Sequence, residues 1–363
     1  MKKEKVRFAV VGYGFAGKRH CSHLLSIPRA ELIAVADCDI TRQNEARIAL
    51  SCSVHSDYIS MLEHHPEIEV VNICTPNGLH TEQAIKCLSR GCHVVIEKPM
   101  GLTVESCQRV MQCAIKMKRH VFCVLQNRYS PTVIWLREII ENHLLGKIQF
   151  VEINCFWNRE PTYYLQSPWR GQLEMDGGPL FTQFSHFIDI LRWLVGDVYN
   201  IHGIFARVKP ENPTEFEDTG AINFQLKNGG IGSLNYSIAT YRQNFESSIT
   251  IIGEKGTVKI GGQYMNEVLH CDIQDYAFEP LPSCNKPNDY GFYQGSADNF
   301  RQMLENIILC LQGENCYISS GWEGLQGVNI IQKIYQHRAE FLRRWNLPPK
   351  VRKEITRHLA ASI

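Results

Sequence analysis

Two short stretches carry side chains able to move a proton. The first is Glu97-Lys98-Pro99, directly after an apolar run from His93 to Ile96. A lysine in a closed, partly dry crevice has a lowered pKa and can donate to a substrate oxygen. A plain ion pair at a strand end uses the same two residues. The second stretch runs from Asp176 to Gly196 and holds Thr182, Gln183, His186 and Asp189. On one continuous helix Thr182, His186 and Asp189 fall at i, i+4 and i+7, on one face, with Gln183 on its flank. A polar stripe on an otherwise apolar helix needs partners or a ligand. Histidine titrates near neutrality and suits a hydroxyl proton. Asp189, one turn on, is placed to orient it; a satisfied core histidine, or a bare His186–Asp189 pair, fits the same spacing. Lys98 and His186 are the candidate catalytic residues. The spacing matches no zinc signature, and no metal is expected.

A third stretch is a phosphate cradle. Phe8 to Val11 is a short apolar run, followed by Gly12-x-Gly14-x-x-Gly17, with a helical pattern starting at Phe15-Ala16. That strand–turn–helix context is what a dinucleotide site requires. Gly12 allows the tight turn, Gly14 close approach to a pyrophosphate, and Gly17 close helix packing. The helix N-terminus favours the anion. Asp37 lies 25 residues after Gly12, where an acid meets the adenosine ribose. Such a carboxylate accepts from a 2′-hydroxyl and repels a 2′-phosphate, which favours NAD over NADP; Arg42 leaves NADP open. Thr75-Pro76-Asn77-Gly78-Leu79-His80 ends another apolar run and belongs at the ligand crevice, with Asn77 or Thr81 as candidate helix cap. Trp157-Asn158-Arg159, Tyr163-Tyr164 and Pro168-Trp169-Arg170-Gly171 interleave arginines with aromatics. That mixture suits phosphate and sugar-ring contacts, or a surface loop with cation–π packing.

The elements that must position these residues alternate over the first third of the chain. Helical patterns occupy Phe15 to Ile27, Thr41 to Leu50, Tyr58 to Glu63, the stretch ending at Arg90, and Val104 to Lys118. Strand-like runs occupy Glu31 to Ala36, Val70 to Cys74, His93 to Ile96 and Val121 to Leu125. Alternation of this kind predicts an α/β, doubly wound parallel sheet. After a helix from Pro131 to Asn142 the pattern changes to strands: Ile148 to Trp157, Val198 to Val208, Thr219 to Leu226, Ile231 to Thr240 and Phe245 to Ile252. Asn228-Gly229 and the turn 253–256 read as hairpins. This predicts an α+β domain with an open, mostly antiparallel sheet, one face solvated or covered by a partner. Helical patterns return at Ser296 to Leu311 and Trp322 to Arg344. The expected division is 1–125, 126–340 and a basic tail, 341–363, amphipathic from Pro348 on.

The 363 residues are 44% hydrophobic and 21% charged, with a formal net charge of +1, so no nucleic-acid or anionic-membrane footprint is visible. No apolar run reaches the ~18 residues of a membrane span, and no secretory leader fits the start. The 14 cysteines form no CxxC pair. They read as free thiols in a reducing, cytoplasmic setting.

Taken together, the glycine loop, Thr75-Pro76-Asn77-x-x-His80, Glu97-Lys98-Pro99 and Gly177-Gly178…His186-x-x-Asp189 resemble the Gfo/Idh/MocA oxidoreductase family. The resemblance runs from about Val6 to Arg338. It implies a Rossmann domain, a C-terminal α/β domain whose open sheet joins a dimer or tetramer, and hydride transfer between a nicotinamide and a sugar or polyol carbon. For the cofactor it implies Gly12, Gly14, Phe15, Ala16, Gly17, Asp37, Thr75, Asn77, His80, Glu97, Lys98, Gln126, Trp169 and Arg170. For the substrate it implies Lys98, Arg159, Tyr164, Thr182, Gln183, His186 and Asp189. Gln126-Asn127-Arg128-Tyr129, the Tyr163…Gly171 segment and Gln183 are similar to a narrower group. Its members oxidise the C3 hydroxyl of UDP-N-acetylglucosaminuronate ahead of an aminotransferase in lipopolysaccharide synthesis. Thr182, Pro179 and Phe184 depart from the family's usual acid or amide, glycine and small residue, which bears on sugar specificity. Within the same superfamily the pattern also fits another sugar or inositol dehydrogenase, or an NAD-dependent glycosidase. A dinucleotide-binding sensor is the reading from another class. The presence of both Lys98 and His186 argues against it.

Overall fold

The computed structural model describes residues 5–291 and 293–338; the expected basic tail lies outside them. The described chain divides into two compact units. The first runs through Gln126 and takes back Asn299–Val328; the second holds Asn127–Asp298 and the described residues from Asn329 on. The sequence reading drew a single division near 126. The later return has no local signal, because a helix buries the same kind of face whichever unit receives it.

The first unit alternates strictly: β1 (Val6–Val11), α1 (Phe15–Ser26), β2 (Ala30–Ala36), α2 (Ile40–Ala49), β3 (Ser53–His55), α3 (Tyr58–His64), β4 (Val70–Ile73), α4 (His80–Ser89), β5 (His93–Ile96), α5 (Val104–Met117) and β6 (Val121–Cys123). The sheet order is β3-β2-β1-β4-β5-β6, all parallel. This is the doubly wound dinucleotide order, with the crossover between β1 and β4. Its central strands are buried on both faces, which is why they read as continuous apolar runs. β3 was expected only as a link; three residues are too few to show a period. α1 buries Gly17, His20, Cys21 and Leu24, one stripe at helical spacing, and stops where Pro28 removes an N–H. Asp39, Asp57 and Thr103 cap α2, α3 and α5 with side-chain oxygens on first-turn amides. α4 has no such cap. It grows out of a 3₁₀ turn at Asn77–Leu79 with Leu79 as its N-cap, so the capping role expected of Asn77 or Thr81 is not filled.

Gly17 is fixed by close approach. A Cβ there would stand 1.8 Å from the Gly12 carbonyl oxygen. Backbone cannot yield as a side chain does, so Gly17→Ala must push α1 off β1. The expected cost is at or above the ~1–3 kcal/mol of an overpacked core, together with loss of NADH binding. Thermal melts and an NADH fluorescence titration read both; a variant that melts and binds like wild type would refute the packing argument.

The second unit opens with α6 (Pro131–Glu141) and β7 (Ile148–Phe156). A helical insertion follows: α7 (Pro161–Leu165), α8 (Pro179–Thr182) and α9 (Ser185–Val195). Then come β8 (Val198–Ala206), β9 (Thr219–Leu226), β10 (Ile231–Ser237), β11 (Glu246–Gly253), β12 (Gly256–Gly261), β13 (Glu267–Ile273), β14 (Pro287–Asp289) and β15 (Gln294–Ala297). The seven-stranded sheet runs β13-β12-β11-β7-β10-β9-β8. All its pairs are antiparallel except β7 with β10. Burial alternates along β9 and β10, so one face packs inward and the other is open. β14 and β15 pair apart from it. The chain then returns to the first unit through α10 (Phe300–Leu311) and the start of α11 (Gly321–Gln336). The helix expected from Ser296 begins four residues later, because Gln294–Ala297 is strand.

Candidate functional site

In the first unit the cofactor candidates collect at one edge, where the parallel strands end. Gly12, at φ +91°, turns the chain out of β1. A Cβ added at Gly14 would meet nothing nearer than an Arg42 nitrogen at 3.9 Å, so the backbone there lies open. α1 has neither a side-chain cap nor an acid in its first turn. No acid of its own first turn offsets the positive end of the helix dipole at Phe15-Ala16-Gly17. Asp37 follows β2, buried, and accepts from the Tyr13 N–H at 2.6 Å and the Asp39 N–H at 2.9 Å. Arg42 stands 3.7 Å from the same carboxylate. A cradle without Cβ atoms, a helix start free of acids in its first turn and a held acid at the next strand end fit a dinucleotide.

Further along that edge, Thr75 donates to Gln83 at 2.6 Å, and Asn77 is buried in the 3₁₀ turn. The His80 ring nitrogens stand 2.8 Å from the Thr75 and Pro99 carbonyls, tying this loop to the Lys98-Pro99 corner. Burial holds the His80 pKa below its ordinary value. Glu97 is buried after β5. His20 Nε2 lies 3.0 Å from its carboxylate, Asn72 Nδ2 lies 2.9 Å from His20 Nδ1, and the Lys98 N–H donates to the other Glu97 oxygen at 3.0 Å. Burial raises the Glu97 pKa, but the His20 hydrogen bond and the charges of His20 and Lys98 outweigh it and leave it lowered. Gln126, buried, follows β6 at the same edge.

In the second unit the helical insertion is broken. Gly178, at φ +116°, starts α8; a Cβ there would lie 2.7 Å from the Tyr335 hydroxyl oxygen. α8 ends at Thr182 and α9 starts at Ser185, so Thr182 and His186 do not share one continuous helix. The Thr182 hydroxyl donates to the buried Asp176 carboxylate, which also accepts the Gly171 N–H at 2.9 Å. His186 is buried in the first turn of α9, its Nε2 3.4 Å from Ser296 Oγ on β15. The acid expected to orient His186 is taken by Arg128: its Nε and Nη2 hold the two Asp189 oxygens, and the Nε bond is 2.8 Å. Arg128 stands in the sequence as part of Gln126–Tyr129, but nothing local marks its pairing with Asp189 across 61 residues. Ser296, 110 residues from His186, carries no local mark either; Asp176 opens the second stretch, but its hold on Thr182 and Gly171 appears only in the fold. Gln183 Nε2 donates to the Tyr163 hydroxyl at 3.1 Å. Arg170 stacks 4.1 Å from the Tyr163 ring centre, beside Trp169 at 5.8 Å; Arg159 sits at 5.1 Å from the same Tyr163 ring. Tyr164 is buried edge-on to Tyr163. The unit thus gathers Arg159, Tyr163, Tyr164, Arg170 and Gln183, while Thr182 and Asp189 are engaged by Asp176 and Arg128. Among the described residues no group of three or more His, Cys, Asp or Glu could hold a metal ion.

Burial pushes the Asp176 pKa from 3.8 up to about 6, although its hydrogen bonds pull the other way. A folded pKa above the unfolded one adds stability that is complete below the unfolded value. That stability is lost as pH rises to the folded one. At about 1.4 kcal/mol per pH unit, the chain loses about 3 kcal/mol from this group between pH 4 and pH 6. Asp176→Asn should flatten that part of the profile. Urea unfolding at pH 4, 5 and 7 measures it, and equal slopes in variant and wild type would show that the carboxyl does not titrate in this way.

All fourteen cysteines are free. No helix among the described residues is long and apolar enough to cross a membrane.

Comparison with known proteins agrees with this geometry. Residues 6–124 match the NAD-binding Rossmann fold of an oxidoreductase family, and residues 137–341 match its C-terminal alpha/beta domain. The WlbA dehydrogenase of Chromobacterium violaceum, solved with NADH and UDP-GlcNAcA, is similar at 32% identity, covering 94% of this chain and 95% of that one, with a TM-score of 0.83. The WlbA dehydrogenase of Bordetella pertussis, solved with the same two ligands, is similar at 32% identity, 92% and 96% coverage, and a TM-score of 0.81. Levoglucosan dehydrogenase of Pseudarthrobacter phenanthrenivorans is 26% identical over 309 residues, 76% of this chain and 78% of that one. The chain belongs to the Gfo/Idh/MocA oxidoreductase family and is an NAD-dependent oxidoreductase acting on CH–OH groups.

Proposed function

We propose that this NAD-dependent sugar or polyol dehydrogenase oxidises the C3 hydroxyl of a UDP-N-acetylglucosaminuronate-type sugar nucleotide. The observation that carries the reading is the 32% identity, over nearly the whole length, to a dehydrogenase bound to NADH and UDP-GlcNAcA. The chain's own residues support it: a lysine at a cofactor-edge strand end and a buried histidine at the start of a helix. His186 takes the hydroxyl proton, and Lys98 stabilises negative charge developing on that oxygen. The converse, with Lys98 as base, uses the same pair. NAD, when bound, supplies the acceptor for the hydride leaving the carbon. Glu97 and the Thr75–His80 loop would line its nicotinamide half, Asp37 would accept from its adenosine ribose, and the N-terminus of α1 would hold its pyrophosphate. A 3-keto product of this kind suits a following transamination, as in lipopolysaccharide sugar synthesis.

The open sheet face carries a row running from Tyr199 through Gln225, Ile231 and Phe150 to Ile252. Tyr199, Ile231 and Ile252 are each more than a third exposed. This row, apolar except for Gln225, is the surface through which the chain assembles with copies of itself, and sedimentation velocity measures that state.

The deciding experiment incubates the purified protein with NAD and UDP-N-acetylglucosaminuronate. NADH absorbance should appear with a product two mass units lighter. NADH retained without net accumulation would point to the glycosidase chemistry. Oxidation only of free sugars or inositols would move the substrate assignment there.

A further inference from the structure

His20 is the polar member of the stripe that α1 turns inward with Gly17, Cys21 and Leu24, and its ring is fully buried. A leucine would fill that stripe with no polar group to desolvate. Both ring nitrogens are engaged instead. Asn72 Nδ2 lies 2.9 Å from Nδ1, and Glu97 Oε1 lies 3.0 Å from Nε2. Asn72, on β4, is itself fully buried, and its Oδ1 has no partner. The Phe300 ring packs edge-on to His20 at 5.2 Å.

The direction of these bonds follows from the donors. An N–H of Asn72 faces Nδ1, so Nδ1 accepts and the ring carries its proton on Nε2. An ionised Glu97 demands the same, because a carboxylate only accepts. One Glu97 oxygen is then held by His20 and the other by the Lys98 N–H at 3.0 Å, while the Glu97 N–H donates to the Ile73 carbonyl at 3.0 Å. The carboxylate is fixed between α1 and the Lys98-Pro99 corner. Burial pushes the Glu97 pKa up. The His20 hydrogen bond leads the opposing influences, followed by the charges of His20, Lys98 and His80, and the value ends lowered. The neighbouring Cys74 thiol is pushed well above its ordinary value by burial and stays uncharged. A Glu97 deprived of the His20 N–H would take up a proton more readily, and Lys98 would lose its charged backbone acceptor.

Resting on the reading that Lys98 acts on the reacting hydroxyl, we propose that His20 is a positioning residue: its Nε2–H fixes the Glu97 carboxylate, and the carboxylate fixes Lys98. His20 works through Glu97 and not by contact with either ligand.

His20→Leu and His20→Gln test it. Both fill about the same space, but only glutamine keeps an N–H that reaches where Nε2 stood. Turnover of His20→Leu should fall about 10- to 100-fold, the scale of a small misplacement in a site, with KM for the sugar nucleotide little changed. His20→Gln should restore it. At pH 6, isotope-edited infrared spectra should show a protonated carboxyl in His20→Leu that wild type and His20→Gln lack. Adding Glu97→Gln should remove that band, which assigns it. Wild-type turnover in His20→Leu, equal losses in both variants, or an ionised Glu97 in His20→Leu would reduce the ring to packing and overturn the proposal. If His20→Leu does not fold, the wild-type ring decides: nitrogen NMR should find the His20 proton on Nε2, and an Nδ1–H form overturns the proposal. Should UDP-N-acetylglucosaminuronate not be oxidised, the proposed substrate falls. The carboxyl band and the ring tautomer, both read without it, still test the hold on Glu97.

Discussion

His186→Gln and Lys98→Met should each lower turnover about 10²–10⁴-fold, the span of a lost acid–base group. Each side chain is placed at an element end where backbone rigidity fixes it. Lys98 follows β5, with its N–H held by the buried Glu97 carboxylate. His186 sits in the first turn of α9 with Ser296 against Nε2. A group acting only in the transition state lowers kcat and kcat/KM together, so KM for the sugar nucleotide should move little. NADH affinity should be unchanged for His186→Gln, which lies in the other unit from the glycine turn. Steady-state kinetics with a parallel NADH titration separate these effects. Wild-type turnover in His186→Gln would remove it from the mechanism and leave Lys98 as the base.

Asp189→Ala is the largest stability loss expected in the second unit. Arg128 is 1% exposed and Asp189 3%, and the guanidinium also lies 5.2 Å from the Trp193 ring centre. Removing one partner of such a pair leaves a buried charge uncompensated, at about 3–5 kcal/mol. Replacing both with apolar residues of similar volume, Arg128→Met with Asp189→Leu, should recover most of that, because the pair's mutual attraction mainly offsets its own desolvation. Urea unfolding of the two single variants and the double gives the cycle. A single variant within about 1 kcal/mol of wild type would mean that water or another group reaches the orphaned charge. Activity of Asp189→Ala should fall too, since His186 is one turn away on the same helix.

Much of the first unit was legible because its signals are local. A buried parallel strand is an apolar run, a strand-ending turn carries glycine or proline, and Gly17 is forced by the Gly12 carbonyl five residues before it. Lys98 and His186 stood out because their neighbours are also polar in apolar surroundings. What escaped was pairing at long range. Periodicity shows which face of β7 is buried but not that β10 runs parallel to it. The i, i+4, i+7 reading of Thr182, His186 and Asp189 assumed an unbroken helix, whereas the chain leaves helical geometry between Thr182 and Ser185. The arginines were visible as a composition of charge and rings; that Arg159 and Arg170 share the Tyr163 ring is a property only of three-dimensional neighbours.

The return of Asn299–Val328 to the first unit has a consequence for how the protein is made. The His20 ring that braces Glu97 lies edge-on to Phe300 at 5.2 Å, and the Cys123 N–H donates to the Ser319 carbonyl. When Gln126 leaves the ribosome, neither neighbour exists. The 172 residues from 127 to 298 must be synthesised first, about 10–35 s at ordinary translation rates. Through that interval the nascent nucleotide unit exposes the apolar flank of α1 and the bare edge of β6. A ribosome-stalled or truncated chain ending anywhere before α10 is thus a candidate client for chaperones, although it already contains every residue of the glycine turn.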